Sequence, residues 1–247
     1  KYTMSNRSIH TLLKNWDEEC PLTREEAVEV LNLPEEEMDS LMECAYALRT
    51  KYKGKKVSVQ LLTNVRSGNC TQNCAYCAQS KDSQAEIEKY KRVSDEKLYG
   101  DNDLVDEKHL ARHCIGLSGI GFSDEEIEDL ADRIREMKKK DTQICCSIGF
   151  LTEKQARILK DAGLDRINHN LNSSRSFYPE ICTTHTYDQR VNNIKMLQSL
   201  GFEICSGGIV GMGESKEDIV DMLMDLREIN PESVPICLLY TSPSPRD

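Results

Sequence analysis

The chain has 247 residues, of which 38% are hydrophobic, so it can form one large domain or two small ones around a packed core. Its 42 acidic and 32 basic side chains give a net charge of −10, which argues against a nucleic acid or an anionic membrane as partner and favours a small-molecule substrate. The sequence has no signal-peptide pattern and no apolar run near the roughly 18 residues of a membrane span, so we expect a cytosolic protein.

The first 55 residues predict an N-terminal helical segment. Thr23 and Glu26 have the spacing of a capping box, and Pro34 stands at the first position of a second predicted helix. We therefore expect a helical cap before the main domain.

Residues 56–236 alternate between predicted strands and helices. The predicted strands cover 56–62, 112–118, 142–149, 165–172 and 202–210, and a sixth begins at Ser233. Capping boxes begin two of the helices, and the last two helices carry the apolar stripes Val191, Ile194, Leu197 and Leu200, and Ile219, Met222, Leu223 and Leu226. This alternation predicts parallel βα units, in either a (β/α) barrel or a doubly wound sheet, and the pattern does not separate the two.

Three cysteines follow the first predicted strand closely, in the segment "NCTQNCAYC" (69–77). Cys70, Cys74 and Cys77 form the pattern C-x3-C-x2-C. The chain has 11 cysteines in all, and in a reducing compartment clustered thiols indicate metal or redox chemistry rather than disulfides. Structural zinc sites use four ligands, normally from paired knuckles, and ferredoxins use a different four-cysteine run. The spacing favours three thiolates that hold a 4Fe-4S cluster and leave one iron open, over a zinc site or unrelated buried thiols.

The pattern C-x3-C-x-aromatic-C is the signature of radical S-adenosylmethionine enzymes. In addition, "SGNCTQNCAYCAQS" (67–80), "NHNLN" (168–172) and "CSGGIVGMGES" (205–215) resemble three successive motifs of the biotin synthase family, in the same order. The resemblance covers about residues 45–236.

This resemblance implies an α/β fold, a TIM-type (β/α) barrel of the radical-SAM kind. It also implies a sulfurtransferase in which a reduced 4Fe-4S cluster cleaves S-adenosyl-L-methionine to methionine and a 5'-deoxyadenosyl radical. The radical removes hydrogen from dethiobiotin, and sulfur from an auxiliary iron-sulfur cluster, 2Fe-2S or larger, closes the ring of biotin.

Three further cysteines lie in three different predicted strands. Side chains from different strands of a barrel can converge inside it, although each thiol alone would be interpreted as a small buried hydrophobe. The resemblance implies that Cys114, Cys145 and Cys205 hold the auxiliary cluster. Because strand side chains alternate, only one of Cys145 and Cys146 can face the interior without a bulge, and the motif register selects Cys145.

Asn168, Asn170 and Asn172 alternate along the fourth predicted strand, so we expect three amides on one face and His169 packing on the other. The resemblance implies that Asn170 and Asn172 bind the cofactor. Family members often have Asp where this chain has Asn172, and a neutral amide at that position makes a hydrogen bond without the assistance of a negative charge.

The resemblance also places Tyr76 and Ile209 beside the adenine of S-adenosyl-L-methionine. Ile209 lies in the glycine-rich stretch "GGIVGMGE" (207–214), whose glycines would let the backbone approach the ligand closely. Cys20, Cys44 and Cys182 match no motif and are interpreted as structural or incidental.

Two rival functions remain: a related radical-SAM enzyme such as a hydrogenase maturase, and a non-catalytic metal-binding protein with a regulatory or storage role. The family resemblance further implies a homodimer and an electron donor such as flavodoxin or ferredoxin.

The last eleven residues, "CLLYTSPSPRD" (237–247), resemble the conceptual translation of a sequencing adapter, and we interpret them as a non-native tail. The chain also begins at Lys1, with its first methionine at Met4. A TIM-type barrel closes with eight strands, whereas the pattern predicts about six. We therefore expect a C-terminally truncated chain with an unpaired sheet edge, which aggregates and does not bind dethiobiotin.

Overall fold

The computed structural model describes residues 21–239. The predictions for residues 1–20, including Cys20, and for 240–247, most of the predicted tail, lie outside this part. The chain forms two compact units, Lys1–Val57 and Ser58–Asp247, and each is described by itself.

The described part of the first unit is helical. It contains α1 (Arg24–Leu31), a 3-10 turn (Glu35–Glu37) and α2 (Met38–Lys53). The predicted capping box is confirmed, since the Thr23 hydroxyl accepts from the backbone N–H of Glu26 and the Glu26 carboxylate accepts from that of Thr23. Pro34 was predicted to begin a helix, but it precedes the 3-10 turn in an extended conformation, so α2 begins only at Met38.

The second unit alternates strands and helices. In chain order it contains β1 (Gln60–Arg66), α3 (Asp95–Glu107), β2 (Arg112–Leu117), α4 (Asp124–Met137), β3 (Ile144–Ser147), α5 (Glu153–Asp161), β4 (Arg166–Asn168), α6 (Tyr178–Ile181), α7 (Tyr187–Ser199), β5 (Glu203–Cys205), β6 (Gly208–Val210), α8 (Lys216–Ile229) and β7 (Ile236–Leu238). The capping boxes predicted at Ser123 and Thr152 begin α4 and α5.

Strand order decides between the two predicted architectures. The first five strands form a parallel sheet in the order β1-β2-β3-β4-β5, and β6 and β7 form a second parallel pair. A doubly wound sheet reverses its strand order at an internal switch point, and the described sheet has no such reversal. The fold is therefore an α/β incomplete barrel.

Three predicted strands differ from the observed ones. The first was predicted at 56–62 but runs from Gln60 to Arg66, because Val57 and Val59 are exposed rather than facing a core. The run predicted at 202–210 splits into β5 and β6, because the backbone N–H groups of Ser206 and Gly208 turn to the carbonyls of residues 233 and 235. The run 165–172 forms a ladder only to Asn168.

The structure pairs β7 with β6 through Ile236, Cys237 and Leu238, so two residues of the predicted tail lie in a strand. That the tail is non-native stays a prediction.

The two faces of the five-stranded sheet differ in chemistry. Ile115, Cys146, Ile167 and Ile204 stand in one row across β2 to β5, and each is 0% exposed. This outer row packs in the apolar core, which the helices share. The next row, on the inner face, carries thiols and charges and forms the candidate site.

Helix α8 contributes Val220, Met222 and Leu226 to the core. The predicted apolar stripe was wrong at Leu223, which is 37% exposed. No helix in residues 21–239 is long and apolar enough to cross a membrane.

Candidate functional site

The loop after β1 carries Cys70, Cys74 and Cys77, all partly buried. Its own backbone hydrogen bonds shape it: Cys70 N–H donates to the carbonyl of Gln79 (2.9 Å), Lys81 N–H donates to the carbonyl of Cys70 (2.9 Å), and Cys77 N–H donates to that of Cys74 (3.1 Å). The three thiols are thus presented on a preorganised loop at the carboxyl end of β1.

These three thiols do not converge on one point. Among the described residues, the group of three potential ligands whose atoms lie within 4.8 Å of one another is Cys74, Cys182 and His185. In the observed arrangement Cys70, Cys74 and Cys77 therefore cannot share a single zinc ion. The thiolates of an iron-sulfur cluster bind different iron atoms, so the wider spacing on one loop fits a cluster.

A second set of thiols lies on the inner face of the sheet. Cys114 of β2 is the direct register partner of Cys145 of β3, and the Cys114 thiol donates to Oε1 of Gln60 at 2.9 Å. The interaction between the two neighbouring thiols lowers the pKa of Cys114 and raises that of Cys145, while burial raises the pKa of Cys205. Cys205 stands one layer higher on the same face, opposite Asn168. Three strands thus place these thiols on one face of the sheet, although, like the loop thiols, they do not all lie within 4.8 Å of one another.

Two arginines border this second set. The Glu203 carboxylate accepts from Arg166 at 2.7 Å and from Arg112 at 3.2 Å. Among residues 21–239, a second guanidinium nitrogen of Arg112 is buried without a partner, and so is the side-chain oxygen of Asn168. A buried, unpartnered cationic donor beside three thiols fits a negatively charged group such as a thiolate-ligated iron-sulfur cluster.

The structure joins three of the four residues that the resemblance implies for the cofactor. The amide of Asn172 donates to the Tyr76 hydroxyl at 2.6 Å, and burial raises the pKa of Tyr76. Ile209 N–H donates to the carbonyl of Asn172 at 2.9 Å. The amide oxygen of Asn170 instead accepts from the backbone N–H of Gly207 at 3.1 Å.

The prediction that Asn168, Asn170 and Asn172 share one face is wrong for Asn172. Its φ of 70° is left-handed, so the strand alternation does not reach it. His169, in contrast, is buried against the ring of Phe150, with the ring centroids 5.1 Å apart, as predicted for a packing residue.

A cleft of about 410 Å³ lies beside the cysteine loop. Its lining residues come from the loop, from α6, from the turn after β6 and from the end of β7: Ala75, Tyr76, Phe177, Glu180, Ile181, Met212, Gly213 and Leu239. Of the four residues that the resemblance implies for the cofactor, Tyr76 lines the cleft. Its volume is in the range of small-molecule sites.

The glycine-rich stretch serves the protein's own packing at its first two positions. A Cβ on Gly207 would lie 1.8 Å from the carbonyl oxygen of Pro235, and one on Gly208 would lie 2.0 Å from the sulfur of Met222. The protein's own packing therefore requires the absence of a side chain at both positions, and the expected approach of a ligand stays a prediction. Gly213, whose φ is 107°, does line the cleft.

Sequence reasoning missed Arg190 of α7. Its guanidinium donates to the Tyr178 hydroxyl (2.5 Å), the carbonyl of Asn170 (3.2 Å) and Nε2 of His185 (2.8 Å). Burial raises the pKa of Cys74 to about 12, and the positive charge of the nearby Arg190 acts in the opposite direction. The available signal was its position four residues before the buried Ile194, on the inner side of the helix.

The sequence profile of the Radical SAM superfamily matches residues 64–226. Over 220 residues the chain is 40% identical to biotin synthase of Geobacillus kaustophilus (strain HTA426) and 39% identical to that of Bacillus subtilis (strain 168), with 89% of this chain and 66% of each relative covered. Biotin synthase of Rhodopirellula baltica is 40% identical, with 61% of its length covered. The chain thus spans somewhat less than two thirds of the curated relatives it matches.

Solved structures resemble the fold. Methylornithine synthase matches with a TM-score of 0.80 at 16% identity, covering 93% of this chain and 66% of that one. The FeFe-hydrogenase maturase HydG from Carboxydothermus hydrogenoformans matches with a TM-score of 0.77 at 20% identity, covering 90% and 54%. At these identities the likeness concerns the fold alone.

Proposed function

The chain belongs to the radical SAM superfamily, and from this membership we propose that it inserts sulfur into dethiobiotin to form biotin. The observation that carries the proposal is the presence of two separate thiol sets, one on the loop after β1 and one on the inner face of β2, β3 and β5. Relatives about 40% identical that are named biotin synthase support it.

Cys70, Cys74 and Cys77 would hold a 4Fe-4S cluster, which when bound supplies the electron for reductive cleavage of S-adenosyl-L-methionine. Tyr76, Asn170, Asn172 and Ile209 would bind and orient S-adenosyl-L-methionine. The hydrogen bond from Asn172 to Tyr76 supports this role because it fixes the phenol ring beside the cysteine loop. The partly buried cation of Arg190 would offset the negative charge of a thiolate at Cys74.

Cys114, Cys145 and Cys205 would hold the auxiliary iron-sulfur cluster, 2Fe-2S or larger, that supplies sulfur. Arg112 offers it an unused donor, and Asn168 offers an unused acceptor toward the same interior. The apolar outer row of the sheet keeps water from reaching these groups through the helical layer.

We further propose that an electron donor such as flavodoxin or ferredoxin reduces the enzyme and that the enzyme is a homodimer. The rival within the superfamily, a hydrogenase maturase, has support from the fold alone. The thiols of the inner face, together with "NHNLN" (168–172), favour sulfur insertion.

Anaerobic reconstitution of a full-length version of the enzyme with iron and sulfide, followed by turnover with dithionite, S-adenosyl-L-methionine and dethiobiotin, tests the proposal. Mass spectrometry should detect 5'-deoxyadenosine and biotin. Cys74→Ala should abolish both products because the loop loses a thiolate, and normal cleavage in this variant would disprove the assignment. Bound iron without any cleavage of S-adenosyl-L-methionine would instead indicate a metal-binding protein.

A further inference from the structure

Cys182, for which the sequence suggested no role, lies against a thiol of the cysteine loop. Its Sγ is 3.7 Å from the Sγ of Cys74. We call Cys74 and Cys182 the thiol pair. Cys74 is partly buried, whereas Cys182 at the end of α6 is 3% exposed.

Hydrogen bonds hold the two backbone segments together on both sides of Cys74. On one side Ala75 N–H donates to the carbonyl of Ile181 at 2.9 Å. On the other the Asn73 amide donates to the Thr183 hydroxyl at 2.7 Å and accepts from the backbone N–H groups of Thr183 (3.1 Å) and Thr184 (3.3 Å). These bonds hold residues 73–75 against residues 181–184, and the two sulfurs, 3.7 Å apart, must approach by about 1.7 Å to form a disulfide.

The neighbouring histidine favours thiol chemistry over a metal ion at this place. Nε2 of His185 accepts from Arg190 at 2.8 Å, and arginine can only donate. The ring proton is therefore on Nδ1, which faces Gln72 Oε1 at 2.8 Å and the Cys182 sulfur at 3.3 Å. A protonated Nδ1 does not bind a metal, and Gln72 Oε1 is the nearer acceptor for its single proton, with the Cys182 sulfur beside it.

We propose that the thiol pair is an oxidation site, at which a peroxide joins Cys74 and Cys182 in a disulfide when no cluster occupies the loop. Cys74, the more accessible of the two, gives up its thiol proton as its sulfur attacks the O–O bond of hydrogen peroxide, takes one oxygen as a sulfenic acid and releases hydroxide. The Cys182 thiolate then attacks the Cys74 sulfur, and a second hydroxide leaves. With the two thiol protons, the sum is two thiols and one peroxide to one disulfide and two waters.

The disulfide leaves Cys74 without a free thiol to bind iron, so the cluster cannot be loaded on the cysteine loop until a reductant restores that thiol. The inference goes beyond the proposed function, since the contact within the thiol pair is independent of any substrate. The oxidation site and the proposed function have only Cys74 in common.

The test uses the full 247-residue chain, freed of iron and reduced, then treated with one equivalent of hydrogen peroxide and alkylated. Trypsin cleaves after Arg66, Lys81, Arg175 and Arg190, so the thiol pair falls in the peptides 67–81 and 176–190. Mass spectrometry without reduction should find these two peptides joined, and dithiothreitol should separate them. Fragmentation should place the bond at Cys74 rather than at Cys70 or Cys77.

Variants separate the thiol pair from the rest of the loop. Cys182→Ser should lower the amount of joined peptide by at least ~10-fold and leave Cys74 as a sulfenic acid, because the thiol that lies 3.7 Å from Cys74 is then absent. Cys77→Ser is the matched control and should keep the joined peptide.

A bond within 67–81 as the main product, or oxidation of Cys74 without any disulfide, would overturn the inference. Mapping of the unaltered chain decides this even where a variant does not fold. Absence of biotin formation would leave this result unchanged, so the two proposals fail separately.

Discussion

Two adjacent cysteines of β3 occupy opposite chemical environments. Cys145 faces the inner row with Cys114 and Arg166, whereas Cys146 stands between Ile115 and Ile167 and is 0% exposed. Burial raises the pKa of Cys146, which keeps it a neutral, small apolar group. Strand alternation thus places one thiol on the inner face of the sheet and the next in the apolar core.

Cys145→Ala should abolish biotin formation while 5'-deoxyadenosine still forms, because only the inner thiol set loses a ligand. Cys146→Ala, the matched control, should keep both products and cost about 1 kcal/mol of unfolding free energy, since a packed core loses one sulfur atom. Product analysis and iron content per chain provide the measurements. Loss of the auxiliary iron in the Cys146 variant would show that Cys146 also faces the interior and binds the cluster.

His169 is a second residue whose surroundings set its chemistry. Burial, and after it the charge of Arg190, lower its pKa from 6.5 to about 3, and His185 adds to the same direction. Between about pH 3 and pH 6.5, His169 is protonated in the unfolded chain but neutral in the folded chain. His169 therefore destabilises the fold progressively as pH falls below about 6.5, by about 1.4 kcal/mol per pH unit.

Replacing His169 with leucine removes this titration. Urea unfolding measured from pH 7 to pH 4.5 should give a shallower decline in the variant, by about 1.4 kcal/mol per pH unit below pH 6.5. The slope is the readout because the substitution also changes stability at every pH through lost contacts. An unchanged slope would mean that His169 is protonated in the folded protein.

At the scale of elements, the contact between the β5–β6 segment and the segment before β7 requires a glycine. The N–H of Gly208 donates to the carbonyl of Pro235 at 3.1 Å, and Gly207 stands directly beside that carbonyl. No side chain fits there, because the clash is with backbone that hydrogen bonds hold in place.

Gly207→Ala should destabilise the protein by at least about 2 kcal/mol through displacement of the segment around Pro235. Gly100→Ala is the matched control: in α3 its Cβ would meet nothing within 4 Å, and alanine should stabilise the helix by up to about 1 kcal/mol. Thermal unfolding of the three proteins checks both signs. Equal melting temperatures for Gly207→Ala and the unaltered chain would contradict the close approach.

At the scale of the whole molecule, the described residues divide into two units at Val57 and Ser58. The stretch 54–59 lacks helix or strand, and Val57 is 72% exposed. Exposed backbone without regular structure is where proteases cut. Within the described residues, we therefore expect this stretch to be cleaved first.

Brief trypsin treatment should cut after Lys53, Lys55 or Lys56 before it cuts within β1 to α8. Intact-mass spectrometry should find a fragment that begins within 54–57 and persists. The triple replacement of these lysines by glutamine should slow its appearance. Early cuts inside the sheet would argue against two compact units.

The sequence by itself determined the features that depend on near neighbours or on a repeat. Capping boxes at Thr23, Ser123 and Thr152 formed as predicted, because each joins residues three apart. The alternation of strands and helices likewise followed from local periodicity. The cysteine loop is shaped by hydrogen bonds within 70–81, so its spacing alone indicated a common function.

Only the tertiary structure decided which distant groups meet. It selected the barrel over the doubly wound sheet through strand order, and it broke the alternation at Asn172 where the chain turns left-handed. It also brought Cys182 to Cys74 across 108 positions of sequence, and Arg190 of α7 to the carbonyl of Asn170. Such contacts depend on how whole elements pack, and no local pattern encodes the distance between residues that packing brings together.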